Sequence, residues 1–407
     1  MASLAPSIAD IQDELLEEIF SRLPTPADLA RASTARASYR RVIADHAFLR
    51  RYRALHPPPL IGMLQLHEAF VPAQPPHPSA AAARSFAGFD FSCSSFLPST
   101  AGCSWSPINF LHGRALLASA PVNEETGRRI LVGSEVCDSH YCLFLTRDLA
   151  VCDPVHRRYI LLPAVPGDLK ALVRWPDLVQ LETFLAPGDD EEDPVSFRVI
   201  CLAQRRLNLL LLVFSSLDGQ WHVLTYDQWG AQATCPPLLN SESGFCNRQF
   251  VHGCFYWHLH FRNELLVLDV RTMEFSTINL PPEWPDLNSF VIVEAAEGML
   301  GMLTKGYDEE SEDDRYWLTY SILRNNQWHS EKFIPLPVKR AILVGVAEGY
   351  LLVEALYTTS SQENLKFGYF SVNVKTLQVE LFAALSKPIL PGQLYAGFPP
   401  SLCAPTI

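Results

Sequence analysis

Several things are scarce in this sequence, and each scarcity excludes something. Basic residues are outnumbered: 32 Lys and Arg stand against 44 Asp and Glu, for a formal net charge of −12. That balance does not neutralise a phosphate backbone, so no nucleic-acid partner is expected. Long apolar runs are missing. The longest, Leu207 to Phe214, is interrupted by Asn208 and falls far short of the ~20 residues that span a bilayer. The opening MASLAPSIAD has no basic residue ahead of an apolar core, so no secretory signal is expected. The chain therefore reads as soluble and intracellular, in the cytosol or nucleus, with no membrane partner.

Paired metal-type cysteines are also absent. Ten cysteines occur, but none in a Cys-x-x-Cys spacing. Cys137 and Cys142 bracket His140, with Cys152 nearby, yet no second ligand pair follows at zinc-site spacing, so reduced structural thiols are expected rather than a metal. No G-x-S-x-G, P-loop or G-x-G-x-x-G is present. Scattered Ser, His and Asp define no triad. No cofactor and no covalent chemistry are expected.

What is present begins with an amphipathic stretch. Leu15, Leu16, Ile19, Phe20 and Leu23 form an apolar stripe at helical spacing, with Asp13, Glu14, Glu17 and Glu18 opposite and Pro24 as the stop. Thr25-Pro26-Ala27-Asp28 reads as a new start: a capping Thr, a Pro at the first helical position and a carboxylate in the capping-box place. Leu29 and Ala32 then face inward. A third helical stretch runs through Tyr39, Val42, Ile43, Phe48, Leu49 and Tyr52, with arginines outside, until His56-Pro57-Pro58-Pro59 ends it. Three short helices make a small core, which suits either a cap on the main body or a module whose apolar face belongs to a partner.

These residues resemble the F-box family, with the closing AFLRRYRALHPPPLIGML much as in plant F-box proteins. The matching positions are Ile11-Gln12-Asp13-Glu14-Leu15-Leu16, Ile19-Phe20, Leu23-Pro24, Asp28-Leu29 and Ser38-Tyr39-Arg40-Arg41-Val42-Ile43. Ile11-Gln12 stands where the family has Leu-Pro, and Tyr39 where it has Trp. The resemblance implies a face that docks a Skp-type adaptor and, through it, a cullin. Its contacts would be Ile11, Leu15, Leu16, Ile19, Leu23, Pro24, Leu29 and Tyr39.

Residues 56–85, rich in Pro and Ala, read as a linker. Beyond them helical periodicity almost vanishes, and short apolar runs alternate with turn residues. AVCDPVHRRYILLP, LVLDVRTMEFSTINLP and FSVNVKTLQVELF share one design. A strand ends at Asp153, Asp269 or Asn373, whose side chain suits a tight turn, and Leu162-Pro163 and Leu280-Pro281 close two of the units. Gly-led strands precede them at Gly113, Gly253 and Gly349, with a fourth at Gly298; Trp221 and Trp328 occupy similar outer positions. A four-stranded blade cannot bury both faces alone, whereas a closed ring of blades can.

The reading is thus an α+β multidomain chain: a small three-helix unit at 8–55, a linker at 56–85, and an all-β propeller at 86–407. A blade length of roughly 45–50 residues gives about six or seven blades. A pair of β-sandwiches is the competing architecture. The pattern is similar to the F-box-associated, loosely kelch-like propellers of plant proteins.

Other candidates have plainer readings. His258 and His260 share a strand face, as a metal pair or, more simply, a solvent-facing polar stripe. His112 and His252 read as turn residues. The acidic runs at 188–194 and 306–314 suit solvated loops, with Ca²⁺ or a basic target segment as the other readings and no EF-hand spacing present. Tyr307, Tyr316, Trp317, Trp229 and Trp284 are candidates for a binding face. The expected function is a non-catalytic substrate receptor of a Skp–cullin–F-box ubiquitin ligase, its propeller binding a target protein. The alternative is a propeller enzyme or glycan-binding lectin with a helical cap; a third reading is an assembly scaffold.

Overall fold

The computed structural model describes residues 11–23, 25–56, 58–64, 70–98, 103–121, 147–173, 177–188, 195–205, 207–228, 248–259, 263–281, 290–308, 315–359, 362–385, 392–398 and 405–407. It opens with four helices, α1 (Asp13–Ser21), α2 (Pro26–Ala35), α3 (Ala37–Ile43) and α4 (His46–Leu55). Thr25 caps α2 as its sequence predicts: its Oγ1 accepts from the Asp28 N–H at 3.1 Å and donates to Asp28 Oδ2 at 2.6 Å. The third stretch is two helices, not one, because Asp45 Oδ1 accepts from the Ala47 and Phe48 N–H groups at 2.9 and 3.0 Å and starts α4 afresh. Leu16, Phe20, Leu29, Val42, Ile43, Phe48, Leu49 and Tyr52 form the core of this unit, joined by Phe398 from the far end of the sequence. Arg41–Asp13 at 2.8 Å and Arg51–Glu17 tie α3 and α4 to α1.

The predicted linker is not one. It contributes β1 (Leu60–Leu64), whose five residues are all buried, and β2 (Val71–Pro72), and then the short helix α5 (Ala80–Arg84). Gln74 and His77 fasten the stretch to blade 5: the Gln74 N–H donates to the Phe382 carbonyl at 2.8 Å and His77 Nε2 meets Ser371 Oγ at 2.8 Å. Proline and alanine composition suggests a spacer, but LIGML is a continuous apolar run, and such a run belongs inside.

Five four-stranded antiparallel sheets follow. Blade 1 is β3 (Cys103–Leu111), β4 (Arg114–Pro121), β5 (Leu149–Asp153) and β6 (Arg158–Leu161). Blade 2 is β7 (Leu178–Pro187), β8 (Phe197–Arg205), β9 (Leu209–Ser215) and β10 (Gln220–Tyr226), reached through α6 (Gly167–Leu172). Blade 3 is β11 (Gln249–Val251), β12 (Cys254–Leu259), β13 (Glu264–Asp269) and β14 (Glu274–Asn279). Blade 4 is β15 (Phe290–Glu294), β16 (Leu300–Asp308), β17 (Arg315–Arg324) and β18 (Gln327–Pro335). Blade 5 is β19 (Arg340–Ala347), β20 (Tyr350–Thr359), β21 (Gln362–Asn373) and β22 (Val379–Leu385). Blade 6 joins the two ends of the sequence: β23 (Gln393–Ala396) pairs with β1, and β1 with β2. The first strands line up around the centre, with β3 beside β7, β11 beside β15, β15 beside β19, β19 beside β23, and β23 beside β3. The molecule is a six-bladed β-propeller, and the strand pairing settles the blade number and excludes paired sandwiches.

The repeated turns are as the sequence predicts. Asp153, Asp269 and Asn373 each accept two N–H groups of the following turn at 2.8–3.1 Å. Gly113, Gly253 and Gly349 have positive φ, and so do His112, His252 and Glu348 before them, which makes these tight hairpin turns. Trp221 and Trp328 each donate from an outer strand to the preceding blade, to the Pro163 and Asn279 carbonyls at 2.8 and 2.9 Å. Blades 1, 3 and 5 share the Asp/Asn turn, while blades 2 and 4 share the tryptophan, so the repeat is legible as a two-blade unit.

This topology gives the ring two unlike ends. At one, the turn end, the first-to-second and third-to-fourth hairpins gather. There His112 comes within 3.9 Å of Glu348 and 5.8 Å of the Phe250 ring, and His252 Nε2 lies 3.2 Å from the Met299 carbonyl. The second-to-third and blade-to-blade connections occupy the other, the crossover end. The helical unit joins at the turn end, because β1 begins where β23 finishes and the Gly397 N–H bonds the Pro59 carbonyl at 3.1 Å.

Candidate functional site

The predicted adaptor face divides in two. On α1, Leu16 and Phe20 point into the helical core at 4 % exposure each, while Leu15 and Ile19 stand in solvent at 53 % and 49 %. Helix geometry dictates the split: residues one position apart are ~100° apart around the axis, so one broad stripe cannot all face one way. Leu29 is completely buried. Leu16 and Leu29 therefore hold the unit together and are not available to a docking protein in this arrangement. Ile11, Leu23 and Tyr39 are half-buried against the same core, with Tyr39 edge-on to Phe20 at 5.2 Å. Pro24 lies outside the described residues. The usable remainder is the Leu15–Ile19 ridge, one turn apart on α1. Sequence reasoning missed Leu55, 63 % exposed at the end of α4, and Phe398, which closes the core beside Tyr52 at 6.3 Å. Nothing local to Phe398 signals that role, because its partners lie at the opposite end of the sequence.

Tyr52 shows how closed this small core is. Its hydroxyl donates to the Leu23 carbonyl at 3.4 Å, and burial, with Asp28 adding to it, raises its pKa to about 12. His56 stacks on its ring at 4.3 Å and bonds the Ser21 carbonyl at 2.7 Å.

On the propeller, the aromatic candidates separate as well. Tyr307 and Tyr316 stack across the β16–β17 hairpin at 5.9 Å, with Tyr307 half exposed at the crossover end. The Trp317 indole lies over Gly306, where a Cβ would collide with it. Trp229, Trp284, His260 and the Cys137–His140–Cys142 group lie outside the described residues. His258 is half-buried with its ring edge-on to Phe290 of the next blade at 5.3 Å, which replaces the predicted solvent-facing stripe. The cores of the two acidic runs, 189–194 and 309–314, lie outside the described residues. The strands that precede them, β7 and β16, end at opposite ends of the ring.

Two buried polar groups invite a chemical reading. His77 lies between Ser371 and Glu380, with Nε2 2.8 Å from Ser371 Oγ and 3.9 Å from a Glu380 oxygen. Its Nδ1 accepts from the Ser79 N–H at 3.1 Å, so the neutral ring carries its proton on Nε2 and donates it to Ser371. A base that accepts the serine proton needs the opposite tautomer; this contact is a fastening. Burial lowers the His77 pKa to about 4 and keeps the ring neutral. Between blades 2 and 3, Arg248 pairs with Glu182, which also accepts from Trp257 Nε1 at 2.9 Å, and the guanidinium lies 4.2 Å from the Phe184 ring centre. Burial lowers the Arg248 pKa to about 9, still above neutral pH, so the pair is ionic. Each of its charges faces the other across the blade seam, which fixes blade packing. Among the described residues, no three His, Cys, Asp or Glu side chains converge as metal ligands, and no helix is long and apolar enough to cross a membrane.

No family model matches the sequence, and no curated protein matches it. Among solved structures, the chain is similar to the β-propeller domain of the Trilobed protease from Pyrococcus furiosus, at 5 % identity, with 71 % of this chain and 72 % of that one covered and a TM-score of 0.34. It is similar to a post-proline cleaving enzyme from Rickettsia typhi at 10 % identity, covering 93 % and 58 % with a TM-score of 0.33. A putative 6-phosphogluconolactonase from Bacteroides uniformis aligns at 10 % identity over 70 % and 87 %, with a TM-score of 0.27. At such low overlap these likenesses carry no argument about activity, and the propeller assignment rests on the strand pairing above.

Proposed function

We propose that this chain is a substrate receptor of a Skp–cullin–F-box ubiquitin ligase. In this reading the helical unit holds the Skp-type adaptor and the propeller presents a target protein. The reading is carried by one observation: Leu15 and Ile19 stay uncovered on a helical unit that otherwise closes its own core. Large aliphatic side chains side by side in water are favourable to cover, and they fall at two of the positions carried over from the F-box resemblance. The chain contributes no catalytic group. It raises the concentration of a target beside the transfer machinery.

The test uses the full chain. Purified Skp-type adaptor is captured by the parent and by the Leu15→Asp/Ile19→Asp double variant. Capture by the parent and its loss in the variant, with unchanged melting of the variant, is the expected result. Equal capture by both, or none by the parent, removes the assignment. Leu16 is unsuitable for this test, since a charge there breaks the helical core itself.

A further inference from the structure

Blades 1, 3 and 5 carry the same Asp/Asn turn, but blade 1 uses it differently. Asp269 and Asn373 each employ one side-chain oxygen, on the N–H groups of their own turn. Asp153 does the same with Oδ1, and its Oδ2 accepts from the Thr406 N–H at 2.8 Å, the Thr406 hydroxyl at 2.9 Å and His156 Nδ1 at 2.9 Å. From the other side Arg114 donates to the Thr406 carbonyl through Nε at 2.8 Å and Nη2 at 2.6 Å. Arg158 Nη1 donates to the Ile407 carbonyl at 3.2 Å, and the Ile407 side chain packs on the apolar core shared by blades 1 and 2. Asp153 and Arg114 are 1 % and 5 % exposed.

One threonine thus has its N–H, hydroxyl and carbonyl all answered by two buried, oppositely charged side chains, and the next residue has an apolar seat. Charge-assisted bonds of this kind are among the stronger ones, and removing the threonine strips contacts from buried ions. A surface segment that merely rests on a blade needs none of this.

We propose that the turn end of blade 1 is a peptide-binding site for a threonine–aliphatic segment, which residues 405–407 fill as a strap. The strap bears on blade 1 and on the apolar core that blade 1 shares with blade 2. The same stretch of chain supplies β23 to blade 6, Phe398 to the helical core and Thr406 to blade 1, so releasing it loosens the closing blade's neighbour and opens the site to a similar segment of another protein.

The test compares the full chain with its Thr406→Asp variant, which sets a carboxylate against Asp153. Amide exchange across the 153–158 turn is expected to quicken about tenfold or more. A labelled Ala-Pro-Thr-Ile peptide should bind the variant saturably and the parent negligibly. Adding Asp153→Asn should abolish that binding while leaving the turn intact, since Asn373 holds the equivalent turn in blade 5 with an amide. Should Thr406→Asp fail to fold, Thr406→Val removes only the hydroxyl, and exchange should still rise several-fold. Unchanged exchange in these variants, a peptide that binds neither protein, or equal binding to both overturns the proposal. None of these readouts involves the adaptor, so the result stands apart from the function proposed above.

Discussion

The helical unit and the propeller bury their apolar residues in different ways. In the helical unit, four short helices surround a single core of eight side chains plus Phe398. Little is left to cover the flank of α1, and Leu15 and Ile19 stay outside. In the propeller each blade lends both faces to its neighbours. One apolar cluster mixes blades 1 and 2, another blades 2 and 3, and another blades 4 and 5. A radial stack ties each blade to the ring through both of its faces and leaves apolar side chains such as Tyr159, Ile160 and Leu161 on its outer strands; the small bundle has one core and keeps an apolar edge on α1. In the function proposed above, that edge is the face offered to the adaptor.

The largest effects should break this contrast directly. Leu351, fully buried between blades 4 and 5, should lose about 3–4 kcal/mol on replacement by Ala. Because the ring is shared, the propeller should still melt in one transition, by calorimetry, at a lower temperature. Leu29→Ala, at an equally buried site, should cost about 3 kcal/mol but loosen the helical unit first. Hydrogen exchange should rise across α1 to α4 and hardly change in blades 2 to 4. If both variants melt the whole chain alike, the two bodies are one cooperative unit.

A smaller effect concerns the segment that joins them. The His77 pKa is lowered to about 4 by burial, against about 6.5 for an unperturbed imidazole. The unfolded chain therefore binds the proton more readily, and His77 lowers stability progressively as pH falls from about 6.5 toward 4, by about 2.5 kcal/mol over that window. Denaturant midpoints should fall accordingly, and His77→Gln should flatten that slope. In the repeat turns, Asp269→Ala should cost about 1–2 kcal/mol by leaving the Arg271 and Thr272 N–H groups without their acceptor, whereas Asp269→Asn should cost much less. The smallest change is a gain. His252 holds φ of 51° at the first position of a tight hairpin turn, where Asn is better suited, and the contact of its Nε2 with the Met299 carbonyl is exposed and worth little, so His252→Asn should raise stability by about 0.5 kcal/mol at most. A thermal-shift measurement would detect it.

Legibility in the sequence followed the range of the interactions. The Thr25–Asp28 cap, the Asp153, Asp269 and Asn373 turns, the Gly-led hairpins and the tryptophans of blades 2 and 4 could be read because each is decided within a few residues or repeats at a fixed place. The break at Asp45 was readable too, as a capping residue ahead of Ala47 and Phe48, but the apolar spacing running across it masked the signal. Leu15 and Leu16 show the limit of periodicity: both belong to the stripe, and only the placement of α3 and α4 decides which one is inside.

What the sequence determined alone was therefore the kind of local element: four-strand units that need neighbours, and a short helical module ahead of them. The tertiary structure decided the rest: six blades rather than seven, β1 drawn out of an apparent linker to pair with β23, Phe398 in the helical core, and Thr406 seated on blade 1. The physical reason is common to all four. Each is a contact between residues far apart along the chain, made when the ring closes, and closure is a property of the whole set of blades that no single stretch encodes.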